Sequence, residues 1–233
     1  MAEDAATSIA VTVITVQGEA EARRIAERAT VTIAAASDGP DRSPVVDAAA
    51  GAAAVITALL SADLDAEHGP VVRWKSDRAR VWSDRPWNQQ GGQLPLVFHA
   101  AISITAEFSD VEALSRFVET ASGTEHVNVD AIGWNLTEVS RRELETQVRA
   151  EAVRAAVEKA RQFADAVGLR TVAPLAIADP GLLGDGGRGN DQGGPRMRGA
   201  MMAMGAADAG PQFDFTPGEI VVSAAVDARF SAS

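Results

Sequence analysis

Residues 94–121 read LPLVFHAAISITAEFSDVEALSRFVETA, and the periodicity changes partway through. From Leu96 to Phe108 the residues Leu96, Phe98, Ala100, Ile102, Ile104, Ala106 and Phe108 recur at every second position, while His99, Ser103, Thr105 and Glu107 fall between them. Successive strand side chains point to opposite faces, so one face of this strand belongs to a core and the other to water. Such alternation marks an antiparallel sheet, because parallel strands are covered on both faces and read as unbroken apolar runs. At Asp110 the period becomes helical. The aspartate is an N-cap, and Val111, Leu114 and Val118 form the buried stripe of a short helix reaching about Ala121. A wet-faced strand running straight into a helix predicts an α+β fold with a largely antiparallel sheet.

Working outward, Val71–Trp82 reads as the other arm of a long hairpin with Leu94–Phe108. Ile9–Val16 is β-branched and ends at Gly18, and Ala29–Ala36 places Val31 and Ile33 on one face; both are expected strands. Ser43 is expected to cap a helix with Pro44 at its first position, where a missing N–H costs nothing. Its stripe is Val45, Ala49, Ala53, Ile56 and Leu60, ending near Ser61. Val127–Thr137 is a further strand. Ser140 and Glu143 form a capping box that is expected to start the longest helix, 141–167, which Gly168 closes as a C′ glycine. Leu144, Val148, Ala152, Ala156, Ala160, Phe163 and Val167 mark its buried side. Arg170–Ile177 and Ile220–Phe230 are the last strands, giving the order β-β-α-β-β-α-β-α-β-β with about three helices. Residues 181–210 hold 10 of the 20 glycines and every methionine except Met1, with no apolar period before Phe213. A flexible Gly/Met-rich loop is expected over 181–212.

Composition narrows the classes of function. The chain has 233 residues, 46% hydrophobic and 23% charged, the balance of an ordinary globular protein. Lys and Arg number 21 against 32 Asp and Glu, a net charge of −11. That opposes non-specific binding to nucleic acid or anionic lipid. Cysteine is absent, which excludes disulfides, thiolate metal sites and thiol nucleophiles. Residues 1–8 (MAEDAATS) are the reverse of a signal peptide, and no run of about 18 apolar residues is read, so no membrane span is expected. The expected location is cytoplasmic, or periplasmic or cell-envelope if a leader has been removed.

Three stretches resemble one family. The opening IAVTVITVQGEAEARRIAERATVTIAAAS is similar to its strand, V-x-G and second strand. AVRAAVEKARQFADAVGLR is similar to its long alanine-rich helix ending in glycine, and FTPGEIVVSAAVDARF to its closing Pro-Gly-Glu turn and last strand. In this order they resemble the SIMPL-domain (DUF541) family, whose bacterial members include a periplasmic immunogenic protein and an oxidative-stress defence protein. The family usually shows G-x-G after its first strand, whereas Glu19 and Ala20 follow Gly18 here. Its bacterial members generally carry a secretion leader. The resemblance implies one α+β domain over 1–233, with two lobes as the open alternative. For some members it implies ring-like assemblies and a role in stress response. It implies no catalytic residues.

The chemistry-bearing side chains do not converge in the sequence. His68, His99 and His126 lie in different elements. Asp63, Asp65, Glu67 and His68 lack the Gly and Glu that a calcium loop requires at its sixth and twelfth positions, and read as a solvated turn. His99 and Glu107 are roughly 26 Å apart along a strand, out of contact. There is no G-x-S-x-G elbow and no phosphate loop. Gly186–Asp191 matches the start of a calcium-binding nonapeptide, but in a single copy where stacked copies are needed.

Two clusters remain. Met197, Met201, Met202 and Met204 share the glycine-rich stretch; thioethers bind Cu(I), but they also make adaptable contact surfaces, and contact or assembly is the expected use. Residues 73–87, RWKSDRARVWSDRPW, hold five basic and two acidic residues with Trp74, Trp82 and Trp87, a local +3 inside an acidic chain. Basic groups among aromatics can bind single-stranded nucleic acid. Trp74 and Trp82, eight apart and so expected on one strand face, read instead as core or interface anchors. The long helix carries mixed charges with i,i+4 pairs such as Glu145–Arg149 and Glu158–Gln162. The expectation is a non-enzymatic protein without cofactor or metal that forms a homo-oligomer through Trp74, Trp82, Trp87 and the methionine stretch. The alternative is a small-molecule or peptide binding module with 181–210 as its lid.

Overall fold

A computed structural model describes residues 11–65, 67–183 and 215–233, and the backbone of 196–199. The elements run β1 (Thr12–Ile25), β2 (Arg28–Gly39), α1 (Arg42–Ala62), β3 (Val71–Ser76), β4 (Arg80–Asp84), β5 (Val97–Phe108) and α2 (Val111–Ser122). Then follow β6 (Val127–Asn135), α3 (Glu138–Ala166), β7 (Val172–Ala178), β8 (Arg196–Gly199) and β9 (Glu219–Ala232). This is α+β, with three helices and two mostly antiparallel sheets among the described residues. The chain divides into two compact units, one of Met1–Arg24, Glu138–Ala200 and Glu219–Ser233, the other of Ile25–Thr137 and Met201–Gly218.

The second unit is a five-stranded sheet with both helices on one face. Its order is β3-β5-β2-β6, with β4 also pairing β5. Strand β5 runs antiparallel to β2 from Ala29↔Phe108 to Gly39↔Phe98. The odd residues of β2 (Ala29, Val31, Ile33, Ala35) and Ile104, Ala106 and Phe108 of β5 meet Ile56 and Leu60 of α1 and Leu114, Phe117 and Val118 of α2. The alternation therefore faces inward as expected from Phe98 to Phe108, with Phe98 and Ala100 against Val45 and Ala49 of α1, while Leu96 lies before the strand begins. Asp110 caps α2, accepting from the Ala113 N–H at 2.7 Å.

The first unit has a four-stranded sheet in which β9 is central, lying between β1 and β7 and also pairing β8. One helix, α3, covers it. Its inner row is Leu144, Val148, Ala152, Ala156, Ala160 and Ala164, at strict four-residue spacing. From Ala152 onward the row is all alanine, and it packs on Ile14, Val16, Val226, Ala228 and Phe230. Small residues let a helix sit close to a sheet, and Gly18 is where it sits closest. A Cβ on Gly18 would stand 2.1 Å from the Ala152 carbonyl oxygen and 2.5 Å from the Ala156 nitrogen. Gly168, at φ +80°, closes the helix, and the Leu169 N–H donates to the Ala164 carbonyl at 2.9 Å.

Several boundaries differ from the reading above. Strand β1 does not end at Gly18 but continues to Ile25, because that glycine makes room for α3 rather than a turn. Helix α1 starts at Arg42 behind Asp41, not at a Ser43 cap, and Pro44 is its third residue, still within the turn whose N–H groups lack helical partners. Helix α3 begins at Glu138, which puts Ser140 inside it. Phe163 is exposed, and Ala164 takes its place in the buried row because the four-residue ridge holds its spacing. Met197 lies on β8, whose backbone pairs Met197 with Val222, so a short strand interrupts the expected loop. Met201, Met202 and Met204 lie outside the described residues, as does most of 181–212. Helix α1 is long and apolar enough to span a membrane by length and composition alone, although no span was expected. It buries Val45, Ala49, Ala52, Ala53, Ile56 and Leu60 within its own unit.

Candidate functional site

The hairpin arm expected over Val71–Trp82 is two strands, and the break between them decides where the tryptophans point. Ser76 pairs with Ile104 and Arg80 with Ala101, so three residues, Asp77–Ala79, oppose only two on β5. One extra residue in a strand moves every later side chain to the opposite face. Trp74 consequently faces inward opposite Ala106, while Trp82 faces outward opposite His99. The two do not share a face, contrary to the expectation from their spacing.

Trp74 is partly buried against the core of its unit. Its indole N–H is buried and meets no acceptor among the described residues. Trp82 is 40% exposed and sits in a stack. The Arg80 guanidinium lies 4.8 Å from the ring centroid, and the His99 imidazole stacks on the ring at 5.1 Å and 15°. His99 Nε2 in turn lies 3.1 Å from Asp84 Oδ1. Trp87 is 68% exposed, in a loop tied by Asn88, whose side-chain oxygen accepts from the Gly92 N–H at 2.7 Å. The outward partner of His99 is missed by looking along β5, where Ser103 and Glu107 were the nearest polar groups. It lies across the strand pair, on β4.

This stack stands beside the sheet face turned away from α1 and α2. Thr30, Thr32, Ala34 and Ala36 of β2 point away from α1 and α2, as do Ala101, Ser103 and Thr105 of β5 opposite them. At the far end of that face Glu107 accepts from Arg73 at 2.7 Å, with Arg28 at 3.8 Å. The side chains of this face are small, half-buried alanines, serine and threonines, with charged pairs and Trp82 beyond them. Strand β4 pairs only with β5 among the described residues.

The remaining titratable groups are tied locally. Asp65 accepts from the Glu67 and His68 N–H groups at 2.9 and 3.1 Å, forming the solvated turn expected there. Those backbone donors hold its carboxyl below the ordinary aspartate range. Glu138 is held low by its hydrogen bond from Arg141 first, then by the charges of Arg141 and Arg142. Glu145–Arg149 and Glu158–Gln162 form as read, at 3.4 and 3.3 Å. Among the described residues no group of three or more His, Asp or Glu is placed to hold a metal ion.

Two of the three stretches that carried the family resemblance are the halves of one contact, Gly18 against the alanine row of α3. The third, Pro217-Gly218-Glu219, places the Gly218 carbonyl where it accepts from the Ala26 N–H at 3.0 Å. Residues 14–230 match the family described as SIMPL, protein of unknown function (DUF541). The chain belongs to the SIMPL family. No curated protein matches it. In this SIMPL chain the glycine of Val16-Gln17-Gly18 is a steric requirement of the helix–sheet contact, and Ala20, two residues on, packs against the same cluster.

Proposed function

We propose that this SIMPL protein is a non-catalytic interaction module that self-associates, with the β4 edge as a contact surface. The observation that supports this most is Trp82: a large aromatic left 40% exposed, on a strand that pairs on one edge only among the described residues. Tryptophan and arginine are the residues that most often anchor interfaces. Trp87, more exposed still, extends the surface, whereas Trp74 is withdrawn into the core and drops out of it. The segment 73–87 carries a net +3 in a chain of −11, so the acidic surface of a second copy complements it. Such a contact weakens as salt rises.

Light scattering across a concentration series tests the reading. We expect a multi-copy mass at low salt that falls in Trp82→Ala, with an unchanged thermal melt because Trp82 contributes little to the core. A mass that is unaltered in folded Trp82→Ala sinks the assignment of this surface.

A further inference from the structure

Among the described residues the four-stranded sheet ends at β1, and no strand lies along its outer edge. Proteins usually blunt such an edge with charge. The second half of β1 is blunted in this way: Arg23 binds Glu21 at 3.0 Å and Arg24 binds Glu143 at 3.4 Å. At Gln17 the edge is closed by Lys159, whose ammonium donates to the Gln17 carbonyl at 3.3 Å. From Thr12 to Val16 the sequence TVITV carries no charge, glycine or proline.

That unblunted stretch is flanked by apolar side chains on both faces. Lys159 marks the flank of α3 that meets the edge, and Phe163 continues that flank one four-residue step on. Gly18 meets Ala152 and Ala156 while Gln17 meets Lys159, so rising numbers on α3 run against falling numbers on β1. Phe163 therefore stands beside the strand just before Gln17. It is 50% exposed, and Val13, on the opposite face of the strand, is 55% exposed.

We propose that Thr12–Val16 pairs antiparallel with the same segment of a second copy, about a twofold axis at Ile14, joining two four-stranded sheets into one. The proposal rests on the self-association reading and gives the chain a second contact surface, distinct from β4. A second copy fits because the patch complements itself. Pairing about Ile14 sets Thr12 against Val16 and Val13 against Thr15, all uncharged and β-branched, with no like charges opposed. Each Phe163 then covers the edge strand of the other copy. With no charge pair at the joint, salt screens only the repulsion between two chains of −11, so this contact strengthens with salt while that of β4 weakens.

The test uses the full chain, with light scattering over a concentration series at low and high salt, on Val13→Lys, Phe163→Lys and Trp82→Ala. Both lysine variants alter exposed positions, and a thermal melt confirms that each folds. We expect either one to raise the dissociation constant of the salt-strengthened contact at least tenfold, and Trp82→Ala to leave a dimer that persists at high salt. An assembly that keeps its mass in both folded lysine variants but loses it in Trp82→Ala overturns the β1 pairing and leaves the self-association reading standing. A chain that is monomeric at every concentration and both salts overturns the self-association reading, and the β1 pairing with it.

Discussion

Helix α3 meets its sheet through Gly18 and the alanines Ala152, Ala156, Ala160 and Ala164, whereas α1 and α2 meet theirs through Ile56, Leu60, Leu114 and Phe117. Both contacts exclude water, by opposite means. In the first, backbones approach until a single Cβ has no space, so each residue buries little area and the fit depends on nothing being added. In the second, branched side chains hold the layers apart and fill the gap, so the fit depends on nothing being removed. A close-approach contact is intolerant of growth and a filled one intolerant of truncation.

The sharpest attempt to break this comparison is Gly18→Ala. The new methyl would fall on the backbone of α3, which has no rotamer with which to yield. We expect a loss at the top of the overpacking range, about 3 kcal/mol or more, and no folded first unit for Gly18→Val. Urea unfolding measures it, and a Gly18→Ala chain within about 1 kcal/mol of the parent would show that α3 floats rather than docks. Next in size is Leu114→Ala in α2, a fully buried leucine whose removal should cost about 3 kcal/mol through lost burial and a residual cavity. Its counterpart in α3, Ala156→Gly, removes one methyl and should cost only about 1 kcal/mol, mostly helix propensity. Equal losses at Leu114 and Ala156 would erase the distinction between the two contacts.

What was legible in the sequence divides along similar lines. The inward row of β5, the Asp110 cap, the stripe of α1 and the Gly168 stop are local patterns, and each appears where its period or cap places it. The role of Gly18 was not local. A glycine after a β-branched run reads as a terminator, and only α3, more than 130 positions later, shows it to be a gap in a strand that continues. The candidate site was legible in its ingredients and not in its geometry. Trp82 and Arg80 stand out in composition, but the extra residue within Asp77–Ala79 turns Trp82 outward and leaves Trp74 inward, and no spacing rule registers it. Asp84 reaches His99 across strands, a pairing that depends on the register this bulge sets.

The smallest effects separate the units at their surfaces as well. Asp65, in the second unit, and Glu138, in the first, are exposed carboxylates held below their ordinary pKa, one by fixed backbone N–H groups and the other by arginine side chains. A carboxyl whose folded pKa is depressed adds stability above its unfolded pKa and loses it as pH falls through the folded value, so both contributions fade from about pH 4 downward. Salt distinguishes them. Ions screen Arg141 and Arg142, so the Glu138 carboxyl should climb back toward its ordinary value at high salt. The N–H groups of Glu67 and His68 are short-range donors placed by the turn itself, so Asp65 should stay low. Carboxyl-carbon NMR titrations at two salt concentrations read both sites in one sample. If the two carboxyls relax together, the Asp65 turn opens as freely as an arginine side chain rotates, and the backbone of this turn is no more rigid than a surface ion pair.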